Sequence, residues 1–191
     1  MSFPGHKLGS ANARYVVELW LDYCCPFSRK AYDTMIKRVI PHFEENHPGV
    51  LQFVLRHQVQ PWHPQSTLTH EAALAVESID SSKFFEFSSL VFDNQESFND
   101  ENTFNKTRQE LYNTLADLAS RVGVDKAKFL DLLKFSQNNG GTGVTPDLKW
   151  FVKVSRQNSI HVSPTALVNG LIDNSISSSW DVEKWKEHLL K

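Results

Sequence analysis

The chain has 191 residues, 40% of them hydrophobic and 22% charged, with 20 Lys and Arg against 22 Asp and Glu. This size and composition exclude a disordered chain, a collagen and a coiled-coil rod, and suit one domain, or one domain with an insertion, whose core needs no disulfide staples. The near-neutral balance excludes a chain-wide basic footprint for nucleic acid, and no run approaches the roughly 18 apolar residues that would span a membrane.

Residues 1–13 are small and polar and read as a loose arm. Tyr15–Asp22 is β-branched and aromatic with little polarity, the pattern of a buried strand. After Tyr23-Cys24-Cys25-Pro26-Phe27-Ser28, the residues Tyr32, Met35, Ile36, Val39 and Ile40 recur along one helical face. Pro26 suits the first helical position, and Pro41 is expected to end the helix. Val50–Arg56 reads as a second strand, and Gln58–Ser66, with Pro61 and Pro64, as a loop. The stretch from about 68 to 137 is helical in pattern: Thr69 is expected to cap one helix, Ser82–Phe92 and Phe104–Val122 form others, and Asp125 caps a further one. Asn138-Asn139-Gly140-Gly141 breaks the chain. Thr145-Pro146 is expected to supply the cap and first residue of a helix reaching about Asn158. Ser163–Val168 reads as a short strand, Asn169-Gly170 as a hairpin turn, and Ser179–Leu190 as a final amphipathic helix.

Two cysteines are too few for a disulfide framework, and these two are adjacent, so a bond between them would strain the peptide that joins them. They are either inert core residues or a chemical site. Placed just before Pro26, Cys25 becomes the cap of the first helix, where its sulfur is expected to meet unpaired backbone N–H groups and the positive end of the helix dipole, a setting that favours a reactive thiolate. Ser28 lies one turn on, with a hydroxyl expected to hydrogen-bond the sulfur. Cys24 is expected to point elsewhere. The histidines 57, 63 and 70 do not fall at zinc-ligand spacing with these cysteines, so no metal site is expected. Asn139–Gly143 lacks the Lys-Ser/Thr of a phosphate loop and reads as a turn.

Cys25-Pro26-Phe27-Ser28, between a strand and a helix, resembles the Cys-Pro-x-Cys motif of the DsbA-like branch of the thioredoxin superfamily, with the last Cys replaced by Ser. Further pieces occur in the family's order: Phe53-Val54-Leu55-Arg56-His57 with Trp62-His63-Pro64, then Glu71-Ala72-Ala73-Leu74-Ala75 and Lys83-Phe84-Phe85-Glu86-Phe87. Val162-Ser163-Pro164-Thr165 with Val168-Asn169-Gly170 completes the set. The resemblance implies an α/β, thioredoxin-like fold with an inserted α-helical domain: residues 1–66 and 140–191 for the first part, 67–139 for the insertion, and an active site in the groove between them. It implies that Cys25 is the nucleophile and that Pro164 is a cis-proline placing the Ser163 backbone beside it. Pro26, Phe27, Ser163 and Pro164 would then contact substrate, with Trp62 and His63 bordering the cleft.

The departures from the family pattern shape the expected function. Ser28 removes the partner of an internal disulfide, and Phe27 stands where the best-known family motif has His. What remains is monothiol chemistry: a mixed disulfide with glutathione or a protein cysteine, resolved by an external thiol. No cofactor is expected to be resident, and glutathione would act as co-substrate. Two alternatives stay open: a glutathione-dependent transferase or isomerase of the kappa type, whose branch carries Ser at the Cys25 position, and a redox-inactive protein that binds peptides or partners. The N-terminus carries no secretory h-region, so a cytoplasmic location is expected unless a leader was removed before Met1.

Overall fold

The computed structural model describes residues 5–191. The chain divides into two compact units, one made of residues 1–58 and 155–191 and the other of 59–154. The helical segment expected at 67–139 lies inside the second.

The first unit is built on a five-stranded sheet of order β1-β3-β2-β4-β5. Strand β1 is His6–Gly9 and β2 is Tyr15–Leu21. Helix α1, Pro26–Thr34, runs through a π turn at Met35–Val39 into α2, Ile40–Asn46, and β3 is Leu51–His57. After the second unit come β4, Thr165–Val168, β5, Leu171–Ile172, and α9, Val182–Leu189. β2 and β3 pair in parallel, and the remaining pairs are antiparallel. β3 is buried along its whole length, as a strand between two neighbours requires. Tyr32, Met35, Val39 and Phe43 project from the α1–α2 face and are fully buried, each contributing about 1.5–3 kcal/mol.

Three expectations are corrected here. The loose arm of residues 1–13 contains β1, which pairs His6–Gly9 with Leu55–Gln52; Met1–Pro4 fall outside the described residues. Four residues are too few to show an alternating pattern, so the pairing partner defines this strand. Gly9, at φ +86°, closes it where a Cβ would lie 2.6 Å from the Leu51 carbonyl oxygen. Pro41 does not stop the first helix. The Ile40 N–H donates to Met35 O, five residues back, and this π turn loosens the ladder where Pro41 has no N–H to give. Ser163 and Pro164 precede β4, which begins at Thr165. The Asn169-Gly170 turn does form, with both residues at positive φ. Asn169 also ties the hairpin to β2, its Oδ1 accepting from Val16 N–H at 2.8 Å.

The second unit is helical: α3 Ser66–Ile79, α4 Phe84–Asp93, α5 Asp100–Thr103, α6 Arg108–Arg121, α7 Lys126–Leu132 and α8 Thr145–Gln157, whose last residues pass into the first unit. Thr69 is not a cap: α3 begins three residues earlier, and the Thr69 hydroxyl donates to Ser66 O inside the helix. Thr145 is the first helical residue rather than the cap. The helix expected from Phe104 starts at Arg108, where Thr107 and Glu110 form a reciprocal capping box. Asp125 caps α7 as expected, accepting from Lys128 N–H.

A buried carboxylate organises this unit. Glu71 on α3 accepts hydrogen bonds from the Tyr112 hydroxyl on α6, from Thr142 at 3.2 Å and from Thr145 at 2.6 Å. Burial first, then the bond to Glu71, holds the Tyr112 phenol protonated far above its ordinary range. Because folding raises that pKa, the stabilisation is complete below the usual phenol value of about 10 and is lost as pH rises beyond it. Urea unfolding of the wild type should therefore weaken between about pH 9.5 and 11.5 by more than that of Tyr112→Phe. Parallel loss in both proteins would show that the phenol carries none of the pH dependence.

Candidate functional site

β2 ends at Leu21, and Asp22 turns the chain. Fully buried, Asp22 makes three short-range bonds. Its Oδ1 accepts from Cys24 N–H at 2.8 Å, its carbonyl accepts from Cys25 N–H at 3.0 Å, and its own N–H donates to Ser28 Oγ at 3.1 Å. The first is an Asx turn, the local structure a short Asp side chain forms with the amide two residues on. Together the three bonds deliver Cys25 to the start of α1 in extended conformation, φ −85° and ψ 121°, with its carbonyl accepting the first helical bond from Arg29 N–H. Cys25 is therefore the backbone cap of α1, and Pro26 occupies the first helical position.

The sulfur does not do what the sequence suggested. Cys25 makes no side-chain capping bond to α1. Its thiol lies 3.5 Å from the carbonyl oxygen of Ser163 and donates to it. The Ser163–Pro164 peptide is cis. The register of β4 against β2, with Thr165 opposite Trp20, carries this segment to the end of the sheet where the cysteine turn sits. The Ser28 hydroxyl also has a different partner from the expected one. Its oxygen is wholly buried and accepts from Asp22 N–H, so it braces the turn under the thiol.

The structure thus gathers Cys25, Pro26, Ser28, Ser163 and Pro164 within the first unit. Neither cysteine is in a disulfide; Cys25 is buried at 5% exposure and Cys24 half-buried. Phe27 is 63% exposed, and so is much of Val162, which precedes Ser163. Trp62 and His63 belong to the second unit, where their rings meet edge-on at 6.2 Å and Trp62 is largely exposed. Among the described residues, no three His, Cys, Asp or Glu side chains gather as a metal site, and no helix is long and apolar enough to cross a membrane. By its place after the apolar run, Asp22 reads as the end of a strand. An Asp two residues before the first cysteine is an Asx-turn signal that could have marked its role.

The strand–turn–helix cysteine facing a cis-proline defines a thioredoxin-type thiol site. The thioredoxin family model matches residues 2–189, and the chain belongs to the thioredoxin family, with a DsbA-like fold. The fold is similar to that of a Pseudomonas syringae protein provisionally assigned as a protein-disulfide isomerase (24% identity, 96% of this chain and 97% of that one, TM-score 0.78). It is similar as well to BdbD from Bacillus subtilis (20%, 97% and 91%, 0.69) and to the thiol-disulfide exchange protein alpha-DsbA2 from Wolbachia pipientis (16%, 97% and 85%, 0.68). No curated protein sequence matches the chain.

Ser28→Ala tests the brace. Withdrawing the buried acceptor from Asp22 N–H should cost about 1–3 kcal/mol in urea unfolding. A loss below about 0.5 kcal/mol would mean that the turn holds itself without Ser28.

Proposed function

We propose that the protein is a monothiol thiol–disulfide oxidoreductase in which Cys25 is the attacking thiol. The observation that carries this reading is the position of Cys25: a cap residue at the N-terminus of α1, with its sulfur 3.5 Å from the carbonyl that precedes the cis Pro164. Negative charge on that sulfur falls at the positive end of the helix dipole.

The thiolate of Cys25 attacks one sulfur of a substrate disulfide. A new bond forms between Sγ and that sulfur, the substrate's own S–S bond breaks, and its second sulfur leaves as a thiolate that takes up a proton. An external thiolate, with glutathione the co-substrate proposed, then attacks the substrate sulfur of the mixed disulfide and releases Cys25. Ser28 cannot perform this second step, having no thiol. Cys24 is a poor substitute: its N–H and that of Cys25 are both held by Asp22, and a bond between adjacent cysteines would twist the peptide between those two anchored amides. Phe27 and the Ser163–Pro164 backbone are proposed to contact the substrate beside the sulfur. The buried, engaged Ser28 hydroxyl weighs against Ser28 assisting glutathione in the kappa-type alternative, and at the Cys25 position, where that branch carries its hydroxyl, this chain has a thiol.

Incubation with oxidised glutathione followed by mass spectrometry of peptides tests the assignment. A single glutathione adduct is expected on Cys25, retained in Cys24→Ser, absent in Cys25→Ser, and removed by excess reduced glutathione. Adduct formation on Cys24 alone would overturn it.

Ser28→Cys supplies a second test. This variant should lose two hydrogens on oxidation and release glutathione from Cys25 without an external thiol. A variant that keeps its adduct as the wild type does would show that position 28 is not placed to resolve a bond at Cys25.

A further inference from the structure

The solvent face of the cysteine helix carries a run of positive charge. Arg29, Lys30, Lys37 and Arg38 fall at helical spacing on that face with one acidic residue, Asp33, among them, and with Pro26 they line an open groove of about 520 Å³. Asp33 pairs with Lys37 at 2.7 Å and with Arg29 at 3.9 Å. Lys30 and Arg38 take part in no ion pair among the described residues. The groove therefore keeps a net positive field that its own carboxylate does not cancel.

Helix stability explains Arg29 and Lys37, which pair with Asp33 at i,i+4 spacing, and leaves Lys30 and Arg38 unexplained. The first turn of α1 contains no acidic residue, and Arg29 and Lys30 follow directly on it, near the end where the helix dipole favours negative charge and disfavours positive charge. The placement of Lys30 near the N-terminus runs against the helix's own electrostatics, and it puts two cations within five residues of Cys25, whose carbonyl accepts the first helical bond from the Arg29 backbone amide.

We infer that this groove selects disulfide substrates whose attacked cysteine is flanked by an acidic peptide segment. The inference rests on the reading of Cys25 as the attacking thiol and names the substrate class of that same site. Length decides between a small acidic thiol and a longer segment. From Pro26 to Arg38 the helix rises roughly 18 Å, which an extended peptide covers in about five residues. A tripeptide such as glutathione, joined through Cys25, reaches the Arg29–Lys30 end and leaves Lys37 and Arg38 unused. An acidic segment leading away from a protein cysteine engages both ends, and its charge steers the encounter before any bond forms.

The test uses the full chain and three disulfides of equal length, each joining a peptide cysteine to the same chromophoric thiol, with acidic, neutral or basic residues flanking the cysteine. At about 20 mM salt the acidic substrate should exchange about ten-fold faster than the neutral one and the basic substrate slower still; at about 0.5 M salt the rates should converge to within about two-fold. Lys30→Gln with Arg38→Gln should bring the acidic rate down to the neutral rate and leave the neutral rate unchanged. Equal rates for the three substrates, or an acidic advantage that survives the double substitution, would overturn the inference. An acidic advantage that responds to Lys30→Gln and not to Arg38→Gln would overturn the longer segment in favour of a tripeptide. A separate readout keeps this proposal distinct from the catalytic one. The acidic peptide, fluorescently labelled and without its disulfide, should bind Cys25→Ser more tightly than its neutral counterpart. Exchange absent with every substrate, together with that binding preference, condemns Cys25 as the attacking thiol and upholds the groove; exchange without any preference does the reverse.

Discussion

The cysteine site depends on how the chain leaves β2. A parallel strand followed by a helix must turn within a few residues, and here one buried Asp makes the turn. Asp22 accepts from the amides of Cys24 and Cys25 and donates its own amide to Ser28. Those bonds satisfy the backbone donors that a buried turn would otherwise leave unpaired. They also fix where the two cysteines go: Cys25 becomes the cap of α1 and Cys24 remains a turn residue. The asymmetry between two adjacent, chemically identical side chains is thus a consequence of backbone hydrogen bonding upstream of them.

The same bonds explain what replaces the usual second thiol. A serine three residues after Cys25, in place of a second cysteine, is a conservative change in size, but its oxygen is a far better acceptor for a backbone N–H than a sulfur is. Ser28 is recruited into the turn and is wholly buried there. Its position makes it a structural brace that carries no thiol, so the proposed covalent intermediate on Cys25 would have to be resolved from outside.

Much of the frame was legible in the sequence because it is written in local patterns. The apolar run of Tyr15–Leu21, the Asn169-Gly170 turn and the Asp125 cap each name their structure within a few residues. β1 was not legible, since a four-residue edge strand is defined by the partner it pairs with, and His6–Gly9 pairs with residues more than 40 positions away. The continuation through Pro41 was missed for a related reason: a π turn has no propensity signature of its own, and it accommodates a proline that the simple rule treats as a stop. At the site, the identity of the cysteine cap was readable from Cys25-Pro26. The destinations of the thiol and of the Ser28 hydroxyl were not, because both depend on segments, Ser163 and Asp22, whose closeness is a property of the folded sheet. Glu71 belongs with these. Nothing near it in sequence announces a buried carboxylate, and the hydroxyls that satisfy it, on Tyr112, Thr142 and Thr145, come from 41 to 74 residues downstream.

A single thiol changes where selectivity has to come from. In a dithiol site the second sulfur ends each encounter, so the lifetime of the mixed disulfide is set inside the protein. On the proposed monothiol reading, with Ser28 in that place, a mixed disulfide on Cys25 would persist until an external thiol arrives, and a poorly matched substrate would occupy the site as long as a well-matched one. Discrimination therefore has to act before the bond forms, at the encounter. Long-range charge is the interaction that acts at that stage, because it biases approach without requiring fitted contacts. Cations set one turn beyond the cysteine, against the preference of the helix dipole, would supply that bias on the element that also presents the sulfur. On these two proposals, the absent second thiol and the basic helix face are parts of one arrangement: the first would remove an internal means of release, and the second would restrict what is admitted.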